Sequence, residues 1–427
     1  MHKIIERKHN MKFNSYFILI LALVLSAGAV HAEGIDIHGF FEGAYGGRVV
    51  DNPVITDRDY TLEESRVQMQ LQHFSDSAEF YGSVDFLGDS AEGSDFKASI
   101  REAYAKFGFG GKADVKIGRQ IVTWGTGDLV FINDVFPKNY VSFFTGREDQ
   151  YLKHPSDALR LKLFSKALNV DIVAIPFFDP DQMPTGQKLS YFNPLAGGIV
   201  GMTNLPAPRL PDRKFDNGEI AIRAYRYLGS FQVSAYFFRG FYKTPMGIDM
   251  AAGTMYYPEL GVYGASTRGP LFSGVLSAEY GYYDSSDDDS GSNPLIPNSQ
   301  HRFLVGFERQ LWTDFTAGIQ YYNEFMVDHD VYEGKLPPGS PVFDELRQVF
   351  TTRLTQELFY QTIRLSLFAF VSPTDEDWHL RPSVTYRYSD AVSISAGGNF
   401  FGGENDNTLF GQFEDNSNLY ARVRYNF

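Results

Sequence analysis

Apolar and polar residues alternate with a period of two in one short segment after another along this chain, and that habit excludes most folds. In residues 418–427, Leu419, Ala421, Val423, Tyr425 and Phe427 alternate with Tyr420, Arg422, Arg424 and Asn426. Val67, Met69 and Leu71 alternate with Arg66, Gln68, Gln70 and Gln72, and Leu159, Leu161 and Leu163 with Arg160 and Lys162. Ile363, Leu365, Leu367 and Ala369 alternate with Arg364 and Ser366. Successive side chains of a strand point to opposite faces, so each segment reads as a strand with one apolar and one wet face. Parallel strands covered on both sides would be continuously apolar. A soluble two-sheet protein also alternates, but it has less use for 38 Phe and 26 Tyr.

A leader comes before the strands. Lys3, Arg7, Lys8 and Lys12 precede the apolar run Tyr16 to Leu25, and small residues lead to Val30-His31-Ala32. That is the layout of a secretory signal peptide over residues 1–32, cleaved near Ala32. The apolar run is shorter than the roughly 20 residues a spanning helix needs, and no later stretch is longer. Mean hydropathy is −0.24, which a membrane wall tolerates when alternate residues face water. With no cysteine, stability rests on strand pairing and closure rather than disulfides. A formal charge of −14 argues against a nucleic-acid partner, which calls for a basic face.

The connections alternate in length. Short ones are expected at Ser75-Asp76-Ser77, Gly110-Gly111, Leu228-Gly229-Ser230, Gly269-Pro270, Trp312-Thr313-Asp314 and Ser389-Asp390. Longer polar ones fall at 48–58, 121–156, 177–217, 285–299, 328–346 and 402–416. Short turns at one end and long loops at the other mark an outer-membrane barrel. The expected fold of residues 33–427 is therefore all-β, a transmembrane antiparallel up-and-down barrel of about 18 strands, with 16 as the alternative.

Three stretches carry a resemblance. The chain ends on Phe427 after an alternating strand, which resembles the C-terminal signature of outer-membrane proteins and implies delivery by the barrel-assembly machinery. DVKIGRQIVTWGTGDLVFINDVFP (Asp114 to Pro137) and GEIAIRAYRYLGSFQVSAYFFRG (Gly218 to Gly240) resemble poorly characterised porin-like families, including ones loosely related to alginate-export channels. The resemblance implies a Gram-negative outer-membrane channel and carries over no substrate-contacting residue.

Parity sorts the lumen. It places Arg353, Arg364, Arg381, Arg387, Arg422 and Arg424 inside with Glu357, and, on the early strands, Asp36, Glu42, Glu79, Asp85, Glu102 and Asp114 with Arg66, Lys106 and Lys116. Either the two arcs set up a transverse field that favours small polar or zwitterionic solutes, or the charges pair across strands and keep the lumen wet. Residues 121–156 mix charges with Phe131, Phe136, Phe143 and Phe144, as a segment folded into the barrel would. Arg147, Asp149 and Lys153 are the residues expected to line a constriction there. Residues 177–217, with Arg209, Arg213 and Lys214, read as an external cap or plug. Both segments also read as mobile surface loops.

Enzymatic signatures are missing from the sequence. Asp284 to Gly291 lacks the EF-hand pattern and reads as a solvated loop facing lipopolysaccharide. No H-x-x-x-H pair, Gly-rich phosphate loop or G-x-S-x-G elbow occurs, so no cofactor, metal or catalytic residue is assigned. The expected function is passive or facilitated diffusion of small polar or charged solutes. The competing readings are a non-conducting scaffold or export partner, a hydrophobic-compound transporter using Phe177, Phe178, Tyr191 and Phe192, and an outer-membrane hydrolase. Expected partners are outer-membrane lipid, lipopolysaccharide and the solutes themselves. A homo-oligomer stays open, because no lipid-facing position identifies an interface.

Overall fold

The computed structural model describes residues 34–93 and 96–427. The leader read over residues 1–32, with its cleavage near Ala32, lies outside them. The strands run β1 (Ile35–Arg48), β2 (Tyr60–Phe74), β3 (Ala78–Asp89), β4 (Phe96–Phe109), β5 (Ala113–Gln120), β6 (Ser156–Leu163) and β7 (Asn169–Ile175). They continue with β8 (Tyr191–Asn193), β9 (Gly198–Val200), β10 (Glu219–Leu228), β11 (Phe231–Phe241), β12 (Gly247–Asp249), β13 (Thr254–Tyr256), β14 (Glu259–Leu271) and β15 (Gly274–Ser285). The last are β16 (Gln300–Trp312), β17 (Phe315–Met326), β18 (Leu346–Leu358), β19 (Ile363–Ser372), β20 (Asp377–Arg387), β21 (Val392–Gly403) and β22 (Asn418–Asn426). Two short helices, α1 (Tyr140–Thr145) and α2 (His329–Lys335), lie in loops.

Among the described residues, 18 of these strands form one antiparallel sheet, while β8–β9 and β12–β13 are small hairpins within loops. The sheet closes where β1 meets β22, with Glu42 opposite Arg424 and Phe41 opposite Tyr425. Phe427 completes the seam, exchanging backbone hydrogen bonds with Gly39 at 3.0 and 2.9 Å. Among the described residues, closure leaves the 18-stranded sheet without a free edge, the condition for backbone to cross a bilayer as sheet. The outward positions are apolar and exposed, among them Leu71, Phe80, Ile117, Ile319, Leu365 and Val423. In water such a belt would be an aggregation hazard; around a transmembrane barrel it meets lipid.

One expected turn is displaced. Gly269 and Pro270 belong to β14, with Pro270 opposite Val275, and the chain reverses at Phe272 and Ser273, both at positive φ (45° and 59°). A two-residue hairpin loop requires left-handed conformations that normally call for Asn or Gly. This one is made without either, so the Gly-Pro pair drew the turn three residues early.

Inside, the two halves differ. Toward the short-turn end the lumen is polar. Toward the long-loop end, inward residues of the wall such as Tyr236, Phe238, Val262, Leu304, Phe368, Phe370 and Phe401 form one apolar core with the connection between β5 and β6. That connection contributes Val122, Trp124, Ile132, Phe136, Phe143, Phe144 and Leu152. Burial of these aromatic and aliphatic side chains, each worth about 1.5–3 kcal/mol, holds the loop inside the barrel.

The segment between β7 and β10 is divided. Lys188, Leu189 and Ser190 are buried, whereas Met202 and Phe215 are 73% and 81% exposed. In the loop after β15, Asp288 accepts hydrogen bonds from Ser290, Ser292 and the backbone N–H of Asn293, so this carboxylate is engaged with its own loop.

Candidate constriction

The inward loop brings three carboxylates to a row of arginines on the last wall strands. Asp128 accepts from Arg353 on β18, Nε at 2.5 Å and Nη2 at 2.9 Å. Asp149 accepts from Arg381 Nη2 on β20 at 2.8 Å. Glu148 lies 2.6 Å from Arg424 Nη1 on β22, and Arg424 also donates to Glu42 across the barrel seam at 3.0 and 2.6 Å. Each arginine rests on an aromatic face: Arg353 on Phe368, Arg381 on Phe143 and Arg424 on Phe40. A planar guanidinium suits both the stacking and the carboxylate pairing. Burial pushes the Asp149 carboxyl up, but Arg381, with Arg353 and Arg422 nearby, outweighs it and holds the group below its usual range. The loop therefore carries charged aspartate at neutral pH.

Arg422 stands apart in this row. It lies over the Tyr420 ring at 5.4 Å, and its Nε and Nη1 are buried without a hydrogen-bond partner among the described residues.

The loop tip is held from below. Glu279 on β15 accepts from the backbone N–H groups of Thr126, Gly127 and Asn133 and from the Asn133 side-chain amide. Gln320 on β17 accepts from the Asp128 N–H at 2.7 Å and donates to its carbonyl at 2.9 Å. These two wall residues fix where Asp128 meets Arg353. Sequence reasoning missed both. Their signal was their parity, since Glu279 falls in step with Ser277 and Gly281, and Gln320 with Gly318 and Tyr322.

The remaining expected site residues lie elsewhere. Arg147 does not face open lumen: it is 8% exposed, with Nε donating to both Glu64 carboxylate oxygens at 2.9 Å and Nη2 reaching Asp89 at 3.2 Å. Lys188 from the next long loop joins the same two carboxylates. Burial pushes the Arg147 guanidinium down, but Glu64 and Asp89 hold it well above its ordinary value. Lys153 donates from Nζ to Thr123 Oγ1 at 2.7 Å, within its own loop. Arg364 pairs with Glu357 at 2.6 Å and Arg387 donates to the Gln361 carbonyl, both at the short-turn end. Glu79 meets Gln72, Tyr104 and Lys106, and Asp85 meets Arg66 at 2.8 Å and Gln68 at 2.6 Å. Most of the sorted lumen charges are thus paired, across strands or from loop to wall.

No protein-family model matches this chain, and no curated protein matches it. Solved structures do. OccAB4 of Acinetobacter baumannii superposes with a TM-score of 0.56 at 11% identity, covering 93% of this chain and 99% of that one. OccK5 (OpdH) of Pseudomonas aeruginosa gives 0.55 at 12% identity, covering 92% and 98%. OccK11 (OpdR) of the same organism gives 0.54 at 9% identity, covering 92% and 96%. At such identities the likeness is one of fold, a closed antiparallel β-barrel.

Proposed function

We propose that this chain is a Gram-negative outer-membrane channel for diffusion of small polar or charged solutes, with no catalytic step and no cofactor. The observation that carries the reading is the inward loop, whose Asp128, Glu148 and Asp149 meet the Arg353, Arg381 and Arg424 row inside a closed barrel. A polar passage beside a fixed row of charges admits hydrated solutes and disfavours apolar ones, because shedding water for an apolar solute gains nothing there. Phe177 packs on Phe215, and Phe178 on Phe241 and Tyr257, within the long-loop end. The likeness to alginate-export channels rests on the two sequence stretches alone.

In this reading the outward apolar belt is the lipid contact. Liposome swelling tests the channel. Vesicles carrying the refolded barrel should swell in neutral sugars at rates that fall with sugar size. Rates equal to those of empty vesicles would contradict it.

A further inference from the structure

Beneath the loop tip, on the wall made by β14 to β18, lies a lumenal recess of about 350 Å3, near the lower end of the volumes that hold small molecules. Its floor is made of small residues. Gly306 stands opposite Ser277, and a Cβ at Gly306 would fall 2.8 Å from the Ser277 hydroxyl. Gly318 lies under the Glu308 side chain, with space for an ordinary contact at 3.7–3.9 Å. Two charges flank this floor, Arg268 on β14 and Glu308 on β16. Both are exposed to the lumen, and neither has an ion-pair or hydrogen-bond partner among the described residues. Arg268 is opposite Ser277, which is opposite Gly306, so the two charged strands are about 10 Å apart, with Glu308 two residues along from Gly306. The other charges at the recess, Asp128 and Arg353, already neutralise each other.

We propose that this recess is a binding subsite for small zwitterions of the α-amino-acid type, the solute's carboxylate facing Arg268 and its ammonium facing Glu308. The proposal rests on the channel reading above and names a solute class for it. A simple anion or cation would meet one attractive and one repulsive neighbour here. A molecule bearing both charges a few ångströms apart meets two attractive ones, in a lumen where each charge-assisted hydrogen bond counts for more than in bulk water.

The test is saturation-transfer NMR on the full refolded chain in detergent, with L-serine, propionate and ethanolamine as probes. L-serine should receive magnetisation, and the two singly charged analogues should not. R268Q and E308Q should each weaken L-serine binding about tenfold or more, and the charge-swapped R268E/E308R double variant should restore it. Variant folding is checked by heat-modifiable gel mobility, and R268K serves as the milder substitution should R268Q not fold. Equal transfer to propionate, absence of transfer to L-serine, or wild-type binding in both single variants overturns the proposal. Because the readout is binding, a barrel that binds L-serine yet leaves swelling rates unchanged would sink the diffusion reading and keep this site.

Discussion

Asp128 and Arg353 are 225 positions apart in the chain and meet through two hydrogen bonds, at 2.5 and 2.9 Å, where the inward loop touches the barrel wall. Removing the carboxylate frees a guanidinium to the lumen. Asp128→Asn should therefore shift the reversal potential in a salt gradient toward anions, with the permeability ratio changing roughly twofold or more. Arg353→Gln should shift it toward cations. Identical reversal potentials in wild type and both variants would show that this pair does not face the permeating ions.

Glu279 holds the same loop tip through four donors. Glu279→Ala would leave the Thr126, Gly127 and Asn133 N–H groups without their carboxylate, at a local cost of about 2–4 kcal/mol. Hydrogen exchange of the Thr126 and Gly127 amides in micelles should then quicken roughly thirtyfold or more. Unchanged exchange would mean that the apolar core alone fixes the tip.

Arg147 and Lys153, both expected from the sequence to line the constriction, should respond differently. Arg147 is buried against Glu64 and Asp89, so Arg147→Ala leaves Lys188 as the main counter-charge of both buried carboxylates and should destabilise the folded barrel by about 3 kcal/mol. The folded band on gels should convert at a lower temperature. Lys153→Ala removes a hydrogen bond to a neighbouring hydroxyl and should change stability by about 0.5 kcal/mol or less. Equal conversion temperatures for wild type and Arg147→Ala would refute the clasp.

The contrast shows what the sequence could and could not reveal. Within an unbroken strand successive side chains alternate between faces, which is why the sequence reads Glu42, Asp85, Arg381 and Arg424 as inward, although a bulge between Ile100 and Glu102 in β4 interrupts the step. Parity stops at the end of a strand. Arg147 sits in a loop whose path is set by contacts with Glu64 and Asp89, 83 and 58 residues earlier in the chain, and no local pattern reports such a meeting. The apolar lining of the long-loop half did leave a trace. In Leu365-Ser366-Leu367-Phe368-Ala369-Phe370-Val371 both faces turn apolar toward the end, which is how a strand covered on both sides reads. Phe368 and Phe370 are those inward residues, buried against the loop.

A pH dependence follows from Asp181, which ties the two long loops together by accepting from the Lys138 N–H at 2.7 Å. Burial pushes its carboxyl up to about 6, against a smaller opposing pull from Lys138. A carboxyl raised on docking contributes stability that is full below its ordinary range, near 3.8, and lost as pH rises through about 6. Protection of the residues around Asp181 from hydrogen exchange, corrected for intrinsic rates, should fall between pH 4 and pH 7. Asp181→Asn keeps an acceptor for Lys138 and should flatten that dependence. A wild-type profile as flat as the variant's would contradict the assignment.

The central claim is that the charged lumen conducts, and single-channel recording of refolded residues 33–427 in a planar bilayer tests it most directly. Stable ohmic steps are predicted, with a reversal potential that moves in opposite directions in Asp128→Asn and Arg353→Gln. Electrical silence from a barrel shown to be folded by its heat-modifiable mobility would contradict the channel and leave a closed scaffold, its lumen filled by the loop between β5 and β6.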